Sequence, residues 1–232
     1  YWHTHDPFVG LAAAAAVTTN LKVGTGIALV TERDPILMAK QVATLDHISN
    51  GRLILGVGAG WNAEEMENHG TRFASRWKVL RERILAMKAI WTDEAAEFHG
   101  DYVDFDPLWS YPKPKQAGGP PILLGAASKY MHKRIAEYCD GWFPIYQDEA
   151  RAAAAGATDY SESMRLTREA WDSAGRSGSP NSTIFGVGHD PAAVERCLAH
   201  GFDRIVFALP PAGADEVLPM IERYAALKKQ FD

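Results

Sequence analysis

Cysteine is scarce in this chain, and its placement excludes the chemistry that cysteine usually brings. The two thiols, Cys139 and Cys197, lie far apart in the sequence and form no CxxC pair. That spacing gives neither a thiol-based zinc site nor a redox motif. It predicts two buried cysteines in a reducing compartment, and we therefore expect a cytoplasmic protein.

Long apolar runs and clusters of basic residues are missing as well. No apolar segment approaches the roughly 18 residues that would predict a membrane span. The opening residues, YWHTHDPF, lack the basic and apolar regions of a signal peptide. The net charge is −5 and no Lys/Arg run occurs, so the composition disfavours nucleic acid and anionic membranes as partners. The expected partner is a small-molecule substrate.

Two common nucleotide-binding motifs are also absent. The segment GVGAGW begins at Gly56 but carries Trp61 where GxGxxG requires its third glycine, and no GxxxxGK[ST] loop occurs. His3 and His5 offer two nitrogen ligands, but no third ligand lies nearby, so no metal site is predicted. One of these two histidines is instead a candidate substrate contact.

What the chain does have is a regular alternation of apolar runs with helical segments. Three helices are predicted to begin at an aspartate cap followed by proline: Asp6-Pro7, Asp34-Pro35 and Asp190-Pro191. The helix in SRWKVLRERILAMKAIW has one apolar face, formed by Trp77, Leu80, Ile84, Met87 and Trp91. The predicted buried strands are LKVGTGIALV, GRLILGVGAGW, PILLGAAS, DGWFPI, STIFGVG and DRIVFALP.

This order predicts an α/β fold in which helices cover a parallel sheet. Both a doubly wound sheet and a (β/α)8 TIM barrel fit it. A barrel usually needs about 250 residues. We therefore interpret residues 1–232 as a single domain that holds the third to eighth units, and we expect the first two strands before Tyr1. The segment FHGDYVDF predicts a β-hairpin within an irregular stretch at about 96–120.

Several predicted strands end in small residues, where parallel α/β folds bind their ligands. Glycine weakens a strand, so its repeated use there indicates a close approach to the backbone, by a flat ligand or simply at a sharp turn. The segment GAASKYMHKR is the best phosphate candidate, with a surface helix as the alternative. The strand ends are Gly24–Gly26, Gly56–Gly60, Gly125–Ser128 and Gly186–Gly188.

The side chains after the glycine-rich strand allow more than one reading. Asn62, Glu64 and Glu65 are either helix caps or, for a carboxylate, a general acid or base. Trp61 and Trp142 are either walls of a substrate pocket or parts of the core. The candidate pocket residues are His3, His5, Trp61, Asn62 and Trp142.

At this point the sequence resembles a known family. LKVGTGIALVTERDPILMAKQVATLDHISNGRLILGVGAGWNAEEM is similar to the luciferase-like monooxygenase superfamily, most of all to its branch of F420-dependent oxidoreductases. RWKVLRERILAMKAIW, GDYVDFDPLWSYPKP, PPILLGAAS and EYCDGWFPI continue the resemblance in the same order. It covers most of the chain, and is strongest up to Ile145.

The resemblance implies a (β/α)8 barrel with an insertion after the fourth unit, at 96–120, and a homodimer. It implies coenzyme F420, or alternatively FMN, at the carboxyl ends of the strands. A non-prolyl cis peptide is implied at Gly26-Ile27. The implied cofactor-binding residues are Thr25, Gly26, Ile27, Gly58, Ala59 and Gly60, with Ala126, Ala127, Ser128 and Lys129 at the phosphate.

The expected function is therefore hydride transfer between F420 and an unknown small organic substrate. Trp61 stands where some F420-dependent dehydrogenases have a catalytic carboxylate, so no principal catalytic residue is assigned. Three alternatives stay open: an FMN-dependent monooxygenase, a non-catalytic flavin-binding paralogue, and an unrelated barrel such as a sugar-phosphate isomerase. The last of these predicts phosphate binding near Gly188 and Pro211.

Overall fold

The chain forms two compact α/β units, Tyr1–Gly125 and Ala126–Asp232. The computed structural model describes residues 4–148, 152, 156 and 158–231. In both units, parallel strands alternate with helices, as the sequence predicts. The part of the chain that the structure describes contains no helix long and apolar enough to cross a lipid bilayer.

The first unit is built around its third strand. Val57 of that strand pairs in parallel with Ala28 on one side and with Leu124 on the other. The elements of this unit, in chain order, are α1 (Pro7–Ala16), β1 (Val23–Gly24), β2 (Ala28–Leu29), a 3-10 turn (Val30–Glu32), α2 (Pro35–Ile48), β3 (Leu53–Gly58), α3 (Ala63–Asn68), a 3-10 turn (Phe73–Ser75), α4 (Arg76–Thr92), β4 (Ala96–His99), β5 (Asp104–Leu108) and β6 (Ile122–Leu124).

The predicted helix caps are confirmed. The Asp6 carboxylate accepts hydrogen bonds from the backbone N–H groups of Phe8 (2.9 Å) and Val9 (3.2 Å) at the start of α1. Asp34 accepts one from the Leu37 N–H (2.8 Å) at the start of α2. Both aspartates satisfy N–H groups that the first turn of a helix leaves without intrahelical partners.

The prediction of a single buried strand for LKVGTGIALV is wrong. The structure has two short strands, β1 and β2, separated by residues 25–27, and the Gly26-Ile27 peptide bond is cis. Pairing with β3 stops after β1 and resumes at β2. Gly24 is the last residue of β1 and Gly26 lies within the interruption, and glycine has no side chain with which to hold an extended strand in place.

The apolar face predicted for α4 is confirmed as core. Leu80, Ile84, Met87 and Trp91 are buried, and Trp77 is half-buried at the start of the helix. Trp91 also donates its indole N–H to the Ala39 carbonyl of α2, at 3.0 Å. Apolar burial and a satisfied indole N–H therefore join α4 to α2.

The amino end of β3 is anchored by one guanidinium group, that of Arg52. It donates to the carbonyl of Ala15 (2.9 Å), in the last turn of α1, to that of Thr18 (2.8 Å), just after α1, and to the Leu21 carbonyl before β1. It also donates to the Ser49 carbonyl at the end of α2 (2.5 Å). Carbonyl groups at helix ends lack intrahelical partners, and this single side chain supplies donors to them.

The second unit has a parallel sheet in the order β7-β8-β9. Trp142 of β7 is fully buried, with its ring centroid 6.0 Å from that of Tyr160 and 5.8 Å from that of Phe202. Cys139 and Cys197 are buried free thiols, as predicted. The elements are α5 (Met131–Tyr138), β7 (Gly141–Trp142), α6 (Tyr160–Ser173), β8 (Asn181–Val187), α7 (Pro191–Ala199), β9 (Arg204–Phe207) and α8 (Ala214–Lys228).

The predicted hairpin is confirmed as β4 and β5, and a carboxylate from α4 holds its turn. Buried Glu82 accepts hydrogen bonds from three successive backbone N–H groups, those of Asp101 (3.2 Å), Tyr102 (2.7 Å) and Val103 (3.0 Å). A Cβ at Gly100 would lie 2.4 Å from Glu82 Oε2, so the turn can approach the carboxylate only because residue 100 is glycine. Hydrogen bonds to a charged acceptor are among the stronger ones in proteins.

We expect Glu82→Gln to destabilise the protein by about 1–3 kcal/mol, because one acceptor oxygen is replaced by an amide N–H that faces backbone donors. Urea unfolding measures the effect. Glu67→Gln, at an exposed position of α3, is the matched control and should stay within about 0.5 kcal/mol of the wild type. Equal stability of the Glu82 variant and this control would contradict the role assigned to Glu82.

Candidate functional site

Two neighbouring strand ends of the first unit bring together the predicted residues 25–27 and 58–60. Leu29, the last residue of β2, pairs with Gly58, the last residue of β3. The Thr25 hydroxyl donates to the Gly56 carbonyl at 2.6 Å. Gly125, just after β6, donates its N–H to the Val57 carbonyl at 2.8 Å. The carboxyl end of β3 therefore has residues 25–27 on one side and Gly125 on the other.

Only some of these residues are accessible to a ligand. Gly26 is exposed, Ile27 is 37% exposed and Gly60 is partly exposed. Thr25, Gly58 and Ala59 are buried. The exposed residues therefore offer a ligand only backbone atoms and the side chain of Ile27. The buried residues pack behind them and do not reach the surface.

Gly58 packs closely against a side chain of the protein itself. A Cβ at this position would lie 1.9 Å from Cδ1 of Ile27, far inside van der Waals contact. Gly60 has φ +79°, and a Cβ there would lie 2.8 Å from Cε of Met66. The close approach that these glycines indicate is therefore made at Gly58 by Ile27, which in turn presents an aliphatic surface at the strand end.

The candidate pocket residues of this unit differ in what they do. Trp61 is 74% exposed and stands directly after Gly60. Asn62 is the cap of α3, since its Oδ1 accepts from the Glu65 N–H at 3.4 Å, so its side chain has a structural role. His5 is exposed before α1, and His3 lies outside the described residues.

A carboxyl group that the sequence analysis did not identify lies beside Gly60. Oε1 of Glu32 is buried, has no hydrogen-bond partner among the residues that the structure describes, and lies 3.8 Å from the Cβ position at Gly60. Burial raises the pKa of the Glu32 carboxyl, the negative charge of Glu65 adds to this rise, and His69 and Arg33 oppose it. The sequence feature that could have pointed to Glu32 is its position in the segment TER, directly after the apolar run LKVGTGIALV.

The candidate phosphate site of the second unit lies before α5. Ala127, Ser128 and Lys129 are exposed, and α5 begins at Met131 without a side-chain cap. The Lys129 ammonium lies 5.1 Å from the centroid of the Tyr130 ring. Uncapped N–H groups and a lysine are the donors that an anion needs at a helix start.

Trp142 supports this strand end from within the core. Its indole N–H donates to the carbonyl of half-buried Ala126 at 2.8 Å, and its side chain has no exposed surface. Of the two readings that the sequence left open for Trp142, the structure therefore favours core over pocket wall. No group of three or more metal-ligating side chains occurs among the described residues.

Comparison with known proteins identifies the family. Residues 1–200 match the model of the luciferase-like monooxygenases. The chain belongs to this family. Luciferase-like enzymes are oxidoreductases and monooxygenases that depend on F420 or FMN.

Relatives within the family include proteins that depend on either cofactor. An uncharacterised protein of Mycobacterium tuberculosis is 38% identical over 97% of this chain and 77% of its own length. The F420-dependent glucose-6-phosphate dehydrogenase of Amycolatopsis mediterranei is 29% identical over 67% of this chain and 52% of its own. The FMNH2-dependent dimethylsulfone monooxygenase of Pseudomonas putida is 34% identical over 60% of this chain and 39% of its own length.

Solved structures share the fold at low sequence identity. The monooxygenase RslO1 of Streptomyces bottropensis has a TM-score of 0.83 and 19% identity, covering 98% of this chain and 83% of its own. The coenzyme F420 dependent tetrahydromethanopterin reductase of Methanopyrus kandleri has a TM-score of 0.76 and 18% identity, and the match covers 94% of this chain and 88% of the reductase chain. The α/β fold of the chain is thus that of luciferase-like enzymes.

Glu32→Gln should make the protein more stable than the wild type as the pH rises above the ordinary glutamate pKa of 4.5. A raised folded-state pKa means that the stability of the protonated form is lost as the pH rises through that value. Glutamine keeps the shape of the protonated acid and carries no charge at any pH. Urea unfolding of both proteins between pH 4 and pH 8 measures the difference, and a pH-independent difference would contradict this account.

Gly58→Ala should destabilise the protein by about 0.5–1.5 kcal/mol, because its Cβ forces the terminal methyl of Ile27 out of its present position. Shortening that side chain in the double variant Gly58→Ala/Ile27→Ala removes the overlap and should restore most of the loss. Urea unfolding of the wild type, the two single variants and the double variant gives the coupling between the sites. If Gly58→Ala lowers the free energy of unfolding equally in the wild type and in the Ile27→Ala background, the overlap is disproved.

Proposed function

We propose that this protein is an F420-dependent oxidoreductase that transfers a hydride between coenzyme F420 and a small organic substrate. Membership of a family with F420-dependent relatives supports the reaction class. The single structural observation that carries the proposal is the exposed Gly26-Ile27 segment, which packs against Gly58. An FMN-dependent monooxygenase is the second candidate, because a relative that uses FMNH2 is 34% identical to part of the chain.

The strand end of the first unit suits one face of a planar ring. Ile27 offers an aliphatic side chain, and its neighbour Gly26 offers bare backbone. Apolar surface with few polar groups is typical of pockets that hold aromatic ligands. The bound cofactor supplies the hydride chemistry, whereas these residues position its ring and keep water from one side of it.

The proton that accompanies such chemistry needs a group that can hold it. Glu32 is the carboxyl group that we propose for this role, because burial favours its protonated form beside Gly60. Trp61 carries no titratable group, so its proposed part is limited to contact with the substrate or the ring. His5 and Asn62 are weaker candidates, since one is an exposed residue before α1 and the other caps α3.

The phosphate of the cofactor is assigned to residues 126–129 of the second unit. Ala127 and Ser128 leave the backbone before α5 open, and Lys129 adds a positive charge. A phosphate can accept hydrogen bonds from N–H groups at such a position. The (β/α)8 barrel, the insertion at 96–120 and the homodimer belong to this proposal, and the resemblance to the family supports them.

Fluorescence and absorbance titrations of the purified protein with F420 and with FMN test the choice of cofactor. Saturable binding of F420, with FMN bound more weakly, supports the proposal. Tight binding of FMN without binding of F420 would replace it with the monooxygenase. Cofactor binding without turnover across a substrate panel would indicate a non-catalytic paralogue, and binding of neither cofactor would overturn the assignment.

Lys129→Gln should weaken binding of FMN by about two- to tenfold while leaving riboflavin unaffected, because only FMN carries the phosphate. The same comparison applies to F420 and its phosphate-free deazaflavin core. Lys229→Gln, at an exposed position after α8, is the matched loss of one positive charge. An equal effect on FMN and riboflavin would contradict the role of Lys129 at the phosphate.

A further inference from the structure

A cavity of about 530 Å³ lies in the first unit, between the start of α4 and the hairpin turn. The carboxylate of Glu82 holds that turn in place, so the cavity has a fixed wall. Its volume falls in the range of about 300–1,000 Å³ that is typical of small-molecule sites. None of residues 25–27 and 58–60 lines it, so it is separate from the surface proposed for the cofactor ring.

The charged side chains that line the cavity are all basic. They are Arg72, Lys78 and Arg83, and no aspartate or glutamate is among the lining residues. Arg72 and Lys78 are exposed, and among the described residues neither forms an ion pair. Three like charges around one concave surface repel one another and attract an anion.

Arg83 is the deepest of these cations. Its Nη1 donates to the Val30 carbonyl at 2.9 Å, whereas its Nε is buried and has no hydrogen-bond partner among the described residues. Burial lowers the pKa of this guanidinium, and the nearby Asp34 carboxylate partly offsets the effect. A buried N–H without a partner costs free energy, so this donor points to a missing acceptor.

The start of α4 also lies at the cavity. Ser75 and Lys78 line it, and the Ser75 hydroxyl donates to the Arg72 carbonyl at 3.0 Å. A 3-10 turn leads directly into α4, and its Phe73 carbonyl accepts the Arg76 N–H, so the helix offers the cavity its dipole rather than free N–H groups. The positive end of a helix dipole favours a negative charge.

The opposite wall is aromatic. Tyr102, in the turn held by Glu82, is 41% exposed and lines the cavity. An aromatic face next to cations suits a ligand that has both an anionic group and an organic body.

We propose that this cavity is a second binding site, one for a phosphorylated small organic molecule. Arg72, Lys78 and Arg83 hold the phosphoryl oxygens. Tyr102 contacts the organic part of the ligand. The site does not depend on which cofactor the strand ends bind.

Isothermal titration calorimetry with inorganic pyrophosphate, at constant ionic strength, tests the proposal on the full chain. The double variant Arg72→Gln/Lys78→Gln should weaken binding at least tenfold, since it removes two of the three positive charges that face the ligand. Both positions are exposed, so the variant should fold, which circular dichroism and urea unfolding check. Lys22→Gln removes an exposed charge outside the cavity and should bind like the wild type.

A further variant separates this cavity from the phosphate site proposed before α5. Binding that survives Lys129→Gln and is lost in Arg72→Gln/Lys78→Gln supports the cavity. Loss in Lys129→Gln alone would place the pyrophosphate in the second unit and overturn the proposal. The absence of saturable binding in the millimolar range, or equal weakening by Lys22→Gln, would overturn it as well.

Discussion

The contact between Ile27 and Gly58 determines the geometry of the strand end in the first unit. The parallel register of β2 and β3 sets Leu29 opposite Gly58, and the Ile27 side chain then occupies the space that a Cβ at residue 58 would need. The hydrogen bond from Thr25 to the Gly56 carbonyl fixes the backbone just before this contact. The exposed surface at Gly26 and Ile27 exists because these constraints hold together.

The same contact shows how far the sequence could be interpreted. Glycines at the end of GVGAG correctly indicated a close approach to the backbone, because glycine is costly in a strand without such a reason. The pattern alone could not tell which group approaches. A ligand and a side chain from a neighbouring strand exclude a Cβ in the same way, and only the register of β2 against β3 distinguishes them.

Features that depend on neighbours in sequence were predictable, and features that depend on distant contacts were not. Asp6 and Asp34 cap helices through N–H groups two or three residues away, so their Asp-Pro pairs were sufficient. Glu32, Glu82 and Arg83 look like ordinary surface charges in the sequence. Their burial follows from packing against segments far along the chain, such as the hairpin turn for Glu82. The basic cavity was missed for the same reason.

The two ends of β3 lie in different electrostatic surroundings. At the amino end, the Arg52 guanidinium donates to the carbonyls of Ala15, Thr18 and Ser49, so one cation connects the strand to the ends of α1 and α2. At the carboxyl end, burial raises the pKa of the neighbouring Glu32 carboxyl and so disfavours a negative charge beside Gly60. The same strand thus begins where carbonyl groups surround a cation and ends where the packing disfavours an anion.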